Sequence, residues 1–269
     1  MVSYGGLLQK LKSRHLTKTA LAAQLGISSR TIAKIGRGER IADHVLVRIA
    51  AFLACTPEKL CRSVSDNVLL QTLRDEKQIR MPGGLYHELQ IRMTYNSNHI
   101  EGSRLSEDQT RMIFETNTVD VAEGVPVDDI IETVNHFRAI DYVIDKAEEP
   151  LTEDIVKELH RILKQGTKDA ALGWFAIGDY KKRANVVGGR ETAAPREVPA
   201  RMIALLSGYE ALHSVTIHDI IRFHHDFERI HPFQDGNGRV GRLIALKECL
   251  RYAIVPFIIE DTKKMFYYR

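Results

Sequence analysis

The stretch HPFQDGNGRVGR, residues 231–242, holds a histidine, an aspartate, an asparagine, three glycines and two arginines within twelve positions. The segments on either side, residues 219–230 and 239–252, both show the apolar spacing of an α-helix. The glycine-rich loop therefore ends at the N-terminus of a helix, where the first backbone N–H groups have no intrahelical acceptor. This placement predicts a helical fold with a binding site at the loop.

The glycines of the loop predict an anion site. Gly236, Asn237 and Gly238 can point successive backbone N–H groups into one concavity at the helix N-terminus, an arrangement that binds phosphate without any charged side chain. Asp235 just before them would repel an anion unless a cation lay between the two, and Mg²⁺ bridging phosphate oxygens meets that requirement. We therefore expect a magnesium–polyphosphate site with Asp235 as the metal ligand.

The remaining polar residues of the loop suit a transfer reaction. Arg239 and Arg242 are three residues apart in the first turns of the following helix, so both guanidinium groups can reach the same polyphosphate. His231 is the only group in the loop that exchanges a proton near neutral pH, which suits a general base acting on an attacking hydroxyl.

The loop matches the active-site signature HPFx(D/E)GNGRxxR of the Fic (filamentation induced by cAMP) family at every defining position. The resemblance covers about residues 85–269 and implies a mostly helical fold, continuing with at least one more helix after residue 269. It also implies transfer of AMP from ATP to a Ser, Thr or Tyr hydroxyl of a target protein or of the protein itself. Related Doc toxins, which phosphorylate instead, carry lysine in place of the second glycine, so Gly238 favours adenylyl transfer. Transfer of phosphate or phosphocholine is the alternative chemistry.

The segment of residues 178–195, GDYKKRANVVGGRETAAP, interrupts the helical pattern. Val186 and Val187 are β-branched and precede Gly188 and Gly189, which predicts a β-hairpin. The family resemblance implies that this hairpin is the flap that aligns a target segment by strand addition.

The segment of residues 94–106, TYNSNHIEGSRLS, predicts a helix that ends in an acidic residue. Ser97 and Glu101 share one helical face, and Gly102 can form the left-handed cap, yet a negative charge at a helix C-terminus opposes the helix dipole. The segment resembles the Fic inhibitory motif (S/T)xxxE(G/N). The resemblance implies that Glu101 pairs with Arg242 and occupies the place of the ATP γ-phosphate.

The first 61 residues form a basic segment with ten Lys and Arg against three Asp and Glu, a net charge of +7, whereas the remaining 208 residues sum to −4. Thr17 and Ser28 stand at helix N-cap positions and Gly26 at a helix end, which predicts two short helices around a tight turn. The segment resembles a Cro- and lambda-repressor-like helix-turn-helix domain. A clustered positive charge indicates double-stranded DNA as the partner, and a fold used for protein contacts is the alternative.

The second helix of this motif would present polar and basic groups to a major groove. The predicted DNA-binding residues are Ser28, Ser29, Arg30, Lys34 and Arg37.

Several other residues are expected to serve packing or solubility. Three histidines on helical faces are expected to be packed or exposed rather than catalytic, namely His213, His224 and His225. The single tryptophan, Trp174, is expected in the core, and three basic residues near the flap are expected to form a solvated charge run: Lys181, Lys182 and Arg183.

The whole chain of 269 residues, with 44% hydrophobic and 27% charged residues, has the composition of a globular protein. No apolar run approaches the roughly 18 residues of a membrane helix, and three cysteines are too few for a disulfide framework, so a cytoplasmic protein is expected. We predict a mostly all-α chain in three parts: a helix-turn-helix domain (1–61), a linker or first helix (62–84) and a Fic-type helical bundle with a hairpin flap (85–269), whose inhibitory helix covers about residues 86–102.

Two functions are compatible with this organisation. The first is a self-inhibited protein adenylyltransferase that uses ATP and Mg²⁺ and binds DNA through its N-terminal domain. The second is a DNA-binding regulator whose Fic domain serves as a nucleotide sensor or toxin. The sequence leaves a homo-oligomer open.

Overall fold

A computed structural model describes residues 2–14, 16–63, 67–120 and 124–264. The described chain is mostly helical, as the sequence predicts, and it divides into two compact units between Gln71 and Thr72. The elements in chain order are β1 (Val2–Ser3), α1 (Gly5–Ser13), α2 (Lys18–Leu25), α3 (Ser29–Gly36), α4 (Asp43–Phe52), β2 (Arg62–Ser63), α5 (Val68–Ile79), α6 (Leu85–Ile100), α7 (Glu107–Thr116), α8 (Val127–Asp145), α9 (Glu153–Lys164), β3 (Val186–Val187), β4 (Arg190–Glu191), α10 (Val198–Glu210), α11 (Ile217–Ile230) and α12 (Asn237–Arg251).

The first unit contains the predicted helix-turn-helix. The Thr17 side chain accepts the Ala20 N–H at the start of α2, and the Ser28 side chain accepts the Thr31 N–H at the start of α3. Gly26 ends α2 with φ +59°, a left-handed conformation that glycine adopts without steric cost. The core of the unit is made mostly of buried aliphatic side chains, including Leu7, Leu21, Ile35, Ile49 and Leu53.

The second unit is a helical bundle around α12. Almost every residue of α12 is buried, and the helix packs against α6, α8, α9 and α11. The antiparallel hairpin of β3 and β4 is the sheet of this unit in the described chain, with Val186 opposite Glu191 and Val187 opposite Arg190. This packing brings the N-terminus of α12, the end of α6 and the loop after α11 to one place.

The described helices include none that is both long and apolar enough to span a bilayer. Of the cysteines, Cys249 is buried and Cys55 and Cys61 are partly buried, and all three are free thiols.

Candidate active site

His231 lies at the end of α11 in a left-handed conformation, with φ +51°. A non-glycine residue in this region is strained and must be held by its surroundings. The His231 N–H donates to the Phe227 carbonyl at 2.9 Å, and Phe233 two residues later is fully buried. The side chain of Asn237 accepts the Phe233 N–H at 2.8 Å and donates to the Phe233 carbonyl at 2.9 Å, which fixes the loop on both sides.

The surroundings of the His231 imidazole favour its neutral form. Burial lowers the pKa of His231, the positive charge of Lys181 lowers it further, and the Glu228 backbone carbonyl, Glu101 and Asp235 oppose the shift without reversing it. A neutral imidazole at neutral pH is the form that can accept a proton.

The residues of the predicted nest lie at the N-terminus of α12. Gly236 caps the helix with φ +78°, and Asn237, Gly238 and Arg239 make up its first turn. A Cβ added to Gly238 would overlap Glu101 Oε1 and come within 3.0 Å of Arg242 Nη1. The carboxylate of Glu101 therefore lies against the helix N-terminus, where the helix dipole favours a negative charge.

Arg242 is bound to the end of α6. Its Nε donates to Ser97 Oγ at 2.9 Å, and its Nη2 donates to the Ser97 carbonyl at 2.9 Å and to Glu101 Oε1 at 2.7 Å. Only 5% of the Arg242 side chain and 27% of the Glu101 side chain are exposed. Glu101 caps α6 and Gly102 follows with φ +100°, so the charge that opposes the dipole of α6 is accommodated by α12 and Arg242.

Asp235 and Arg239 belong to a network of ion pairs with Lys164 and Glu132. The ammonium of Lys164 contacts Glu132 Oε1 at 2.7 Å and Asp235 Oδ2 at 2.8 Å, and Arg239 Nη2 contacts the same Asp235 oxygen at 3.3 Å. Arg239 also pairs with Glu132, and Lys164 pairs with Asp169. Burial would raise the pKa of Asp235, but Arg239 and Lys164 outweigh it and hold the pKa well below its ordinary value.

Asp235 meets the requirements of a single magnesium ligand. Its carboxylate is ionised, its side chain is 51% exposed, and both cations contact the same oxygen, Oδ2. The described residues contain no group of three or more His, Cys, Asp or Glu that could hold a metal by itself. This fits Mg²⁺, which is commonly bound by one or two carboxylates together with substrate phosphates.

Lys164 and Glu132 were assigned no functional role from the sequence. Lys164 lies one and two turns after His160 and Val156 on the buried face of α9, so a lysine on an otherwise packed helical face was the available signal. The His160 ring itself stacks on Phe233, with ring centroids 4.0 Å apart.

The flap hairpin is formed as predicted. Gly188 and Gly189 have φ values of +56° and +76°, the conformation that a two-residue turn of type I′ needs. Val186 and Val187 are 62% and 44% exposed. The hairpin is joined to the loop of His231 by a hydrogen bond from Asn185 Nδ2 to the Phe233 carbonyl at 3.1 Å.

Two expectations for residues near the flap are wrong. Lys181 is buried, with 3% of its surface exposed, because it turns inward under the hairpin, while Lys182 is exposed as expected. Trp174 is 37% exposed rather than in the core, because its ring stands beside the flap, where the Arg183 guanidinium lies 4.5 Å from the ring centroid. The three histidines follow the prediction, with His224 buried and the other two exposed.

The predicted DNA-contacting residues all belong to α3 and its ends. The Ser28 hydroxyl caps the helix, while Ser29, Arg30 and Arg37 are exposed and Lys34 is partly exposed. Arg37 also pairs with Glu39 at 2.5 Å. The exposed face of α3 is therefore polar and basic.

Comparisons with known proteins agree with both units. Residues 150–249 match the Fic/DOC family, and residues 7–66 match the Cro/C1-type HTH DNA-binding domain. The chain thus combines a Fic/DOC domain with a Cro/C1-type helix-turn-helix domain.

Curated relatives of the Fic/DOC part are protein adenylyltransferases Fic of insects. The chain is 28% identical over 188 residues to that of Culex quinquefasciatus, which covers 67% of this chain and 36% of the relative. It is 29% identical over 181 residues to that of Drosophila melanogaster, which covers 65% of this chain and 35% of the relative. The chain therefore spans little more than a third of the length of these relatives.

Among solved structures, a Fic domain containing signaling protein from Bacteroides thetaiotaomicron is similar, with a TM-score of 0.60 and 27% identity. The match covers 74% of this chain and 78% of that protein.

The buried ion-pair network leads to a prediction for stability. We expect Lys164→Met to lower the free energy of unfolding by about 3 kcal/mol, because it removes one of the two buried cations that Glu132 and Asp235 share and leaves Arg239 as the other. Urea unfolding measures the loss. The control is the exposed Lys168→Met, which we expect to change stability by no more than about 0.5 kcal/mol. Equal losses in both variants would contradict the structural role of Lys164.

Proposed function

We propose that the second unit, residues 72–269, is a self-inhibited protein adenylyltransferase. It transfers AMP from ATP to a Ser, Thr or Tyr hydroxyl of a target protein or of the chain itself. The observation that carries the proposal is the convergence of His231, the glycine nest of α12 and Arg242 at one place, within a loop that matches the Fic signature over its whole length.

In this proposal the loop divides the work of the reaction. The N–H groups of Asn237 and Gly238 hold the α-phosphate, while Arg239 and Arg242 bind the phosphates that leave. His231 takes the proton of the target hydroxyl, whose oxygen forms a bond to the α-phosphorus as the bond to the bridging oxygen of pyrophosphate breaks. Mg²⁺, held by Asp235 and the nucleotide, would neutralise charge on the phosphates.

Self-inhibition follows from the position of Glu101. Its carboxylate lies against Gly238 and pairs with Arg242, so it takes up a guanidinium that a bound polyphosphate would use. In this proposal ATP then binds in an unproductive pose and the resting rate is low.

The position of the label in transferred material tests the reaction. Glu101→Gly is incubated with a cell lysate, Mg²⁺ and ATP labelled either at the α-phosphate or at the γ-phosphate. Label that reaches protein from the α-position and not from the γ-position supports adenylyl transfer, and mass spectrometry of the modified peptide identifies the group. Label from the γ-position alone would show phosphate transfer and contradict the proposal.

We further propose that the first unit binds double-stranded DNA through α3. The exposed Arg30 and Arg37 and the partly exposed Lys34 provide cations for phosphate contacts along one helix. The alternative function, a DNA-binding regulator that senses nucleotides through its Fic domain, would use the same surface. It would be favoured if the Glu101→Gly variant bound a DNA operator but transferred almost no AMP.

The DNA proposal predicts a salt-dependent affinity. We expect the full chain to bind duplex DNA with an affinity that falls steeply as salt rises, because phosphate contacts release counterions. Each of Arg30→Ala and Lys34→Ala should reduce the slope of log K against log salt by about one. Fluorescence anisotropy of labelled duplex measures it, with Lys12→Ala on α1 as the control. Absent or salt-independent binding would instead support protein contacts by this unit.

A further inference from the structure

Lys181 is a buried cation at the base of the flap. Its backbone N–H donates to the Pro232 carbonyl at 2.8 Å, one residue after His231. Its ammonium donates to Asn185 Oδ1 at 2.7 Å and to Thr192 Oγ1 at 2.6 Å, and these two residues flank the hairpin of β3 and β4 on either side. One residue thus contacts both ends of the flap and the loop that carries His231.

The two residues that accept hydrogen bonds from Lys181 also contact each other, and one of them contacts the His231 loop. Thr192 Oγ1 donates to the Asn185 carbonyl at 3.0 Å, and Asn185 Nδ2 donates to the Phe233 carbonyl at 3.1 Å. Asn185 and Thr192 are therefore bound to each other. The Asn185 bond to Phe233 is a second link between the flap segment and the loop, besides the backbone bond from Lys181 to Pro232. Loss of the ammonium would remove two of the hydrogen bonds that hold the two ends of the hairpin together.

We propose that Lys181 is a positioning residue for the transfer reaction: it holds the flap to the His231 loop, and its positive charge acts on the imidazole. This proposal rests on the proposed function, because the charge of Lys181 affects the reaction only if His231 is the base.

The charge itself needs an explanation beyond packing. Among the described residues Lys181 forms no ion pair, and its ammonium is bound by neutral oxygens only. Burying an ammonium without a carboxylate partner costs stability, and a neutral side chain could hold the same two oxygens at lower cost. Burial lowers the pKa of Lys181 to about 8, so the group still carries its charge at neutral pH.

The positive charge of Lys181 opposes the effect of two carboxylates and one backbone carbonyl on His231. Glu101 from the end of α6 and Asp235 from the same loop favour the protonated imidazole, as does the Glu228 carbonyl of α11. Lys181 from the flap segment is the cation that opposes them. Because a neighbouring positive charge disfavours imidazolium, removing it raises the pKa of His231 and leaves less neutral base at a given pH.

The test compares Lys181→Met, Lys181→Gln and Lys181→Arg with the exposed neighbour Lys182→Met, all in the full chain. Histidine labelled with ¹³C at Cε1 reports the titration of His231, whose signal is identified by its loss in His231→Gln. We expect the pKa of His231 to rise in Lys181→Met and Lys181→Gln, and to stay as in the parent in Lys181→Arg and Lys182→Met. The Gln variant keeps hydrogen-bonding groups and so serves if the Met variant does not fold.

Two further measurements report how firmly the flap is held and how fast the reaction runs. Hydrogen exchange of peptides covering residues 183–194 should be faster in Lys181→Met than in Lys182→Met. In a Glu101→Gly background, the acidic limb of the pH profile of kcat/KM should move to higher pH and the rate should fall about tenfold through misplacement of the flap. Lys181→Arg should restore both.

The proposal is overturned if folded Lys181→Met and Lys181→Gln titrate His231 as the parent does, or if flap exchange is the same as in Lys182→Met. Neither measurement needs turnover. If the Glu101→Gly parent transfers nothing from ATP, the proposed function fails while the titration and exchange results still decide the role of Lys181.

Discussion

Glu101→Gly is expected to raise adenylylation of targets, or of the chain itself, by about 100-fold. A carboxylate–guanidinium pair that blocks productive ATP binding can withhold about 3 kcal/mol, and roughly 1.4 kcal/mol corresponds to each tenfold in rate. The pair in question joins Glu101 Oε1 to Arg242 Nη2 at 2.7 Å, with the arginine almost wholly buried. Initial rates of label transfer from α-labelled ATP measure the change.

Arg242 provides the control for this interpretation. Arg242→Ala also breaks the pair, but it deletes a phosphate ligand at the same time, so it should not activate. The Glu101→Gly/Arg242→Ala double variant should stay slow for the same reason. Glu148→Gly, which changes an exposed glutamate that pairs with Arg74, should leave the rate unchanged. A Glu101→Gly enzyme no more active than the parent on any acceptor would make Glu101 an ordinary helix-end residue.

His231→Ala in the Glu101→Gly background is expected to lower transfer by roughly 10²–10⁴-fold while ATP binding stays nearly the same. The base acts on the target hydroxyl, whereas the nucleotide is held by the nest and the arginines. Rates from labelled ATP and affinities from calorimetry separate the two effects.

The matched control is His225→Ala, which removes an exposed imidazole from the same helix and should change neither quantity. If His231→Ala kept the parent rate, another group would be the base. If His231→Ala lost ATP binding as well, the His231 side chain would be needed to hold the nest in place, and the loss of rate would not report proton transfer.

The local features of the fold were predictable because their signals lie within a few residues of each other. Thr17, Ser28 and Gly26 begin and end their helices through contacts with nearby backbone groups, and the sequence shows all three directly. The hairpin follows in the same way from two valines before two glycines, the residues whose φ is positive. The structure confirms the mostly helical class, and the family matches confirm both domain types.

The candidate loop was equally visible because a signature of twelve consecutive residues carries its own geometry. Gly236 caps α12 in a left-handed conformation, and Asn237 closes the loop on Phe233 four residues away. The roles of His231, Asp235 and Glu101 stay predictions until the rates are measured.

The meeting of distant charges depends on how the helices pack. Glu132, Lys164 and Arg239 come from three helices, and the side chains of Lys181 and Trp174 take the opposite environments to those expected. No periodicity or cap reports such pairings, because the local spacing of a helix specifies which face is apolar but not which partner it meets.

The helices, the hairpin and the position of the loop could thus be predicted from the order of the residues alone, and the chemistry of the loop stays a prediction. The packing of α6 and α9 against α12 places Glu101 at Gly238 and Lys164 in contact with Asp235, and Lys181 is buried where the flap segment contacts the His231 loop. These positions needed the folded structure, because a charged side chain is buried stably only where a partner or a hydrogen-bonding oxygen receives it. The partners of Glu101 and Lys164 lie far away along the chain, and the oxygens that receive Lys181 are neutral and so give no charge pattern in the sequence.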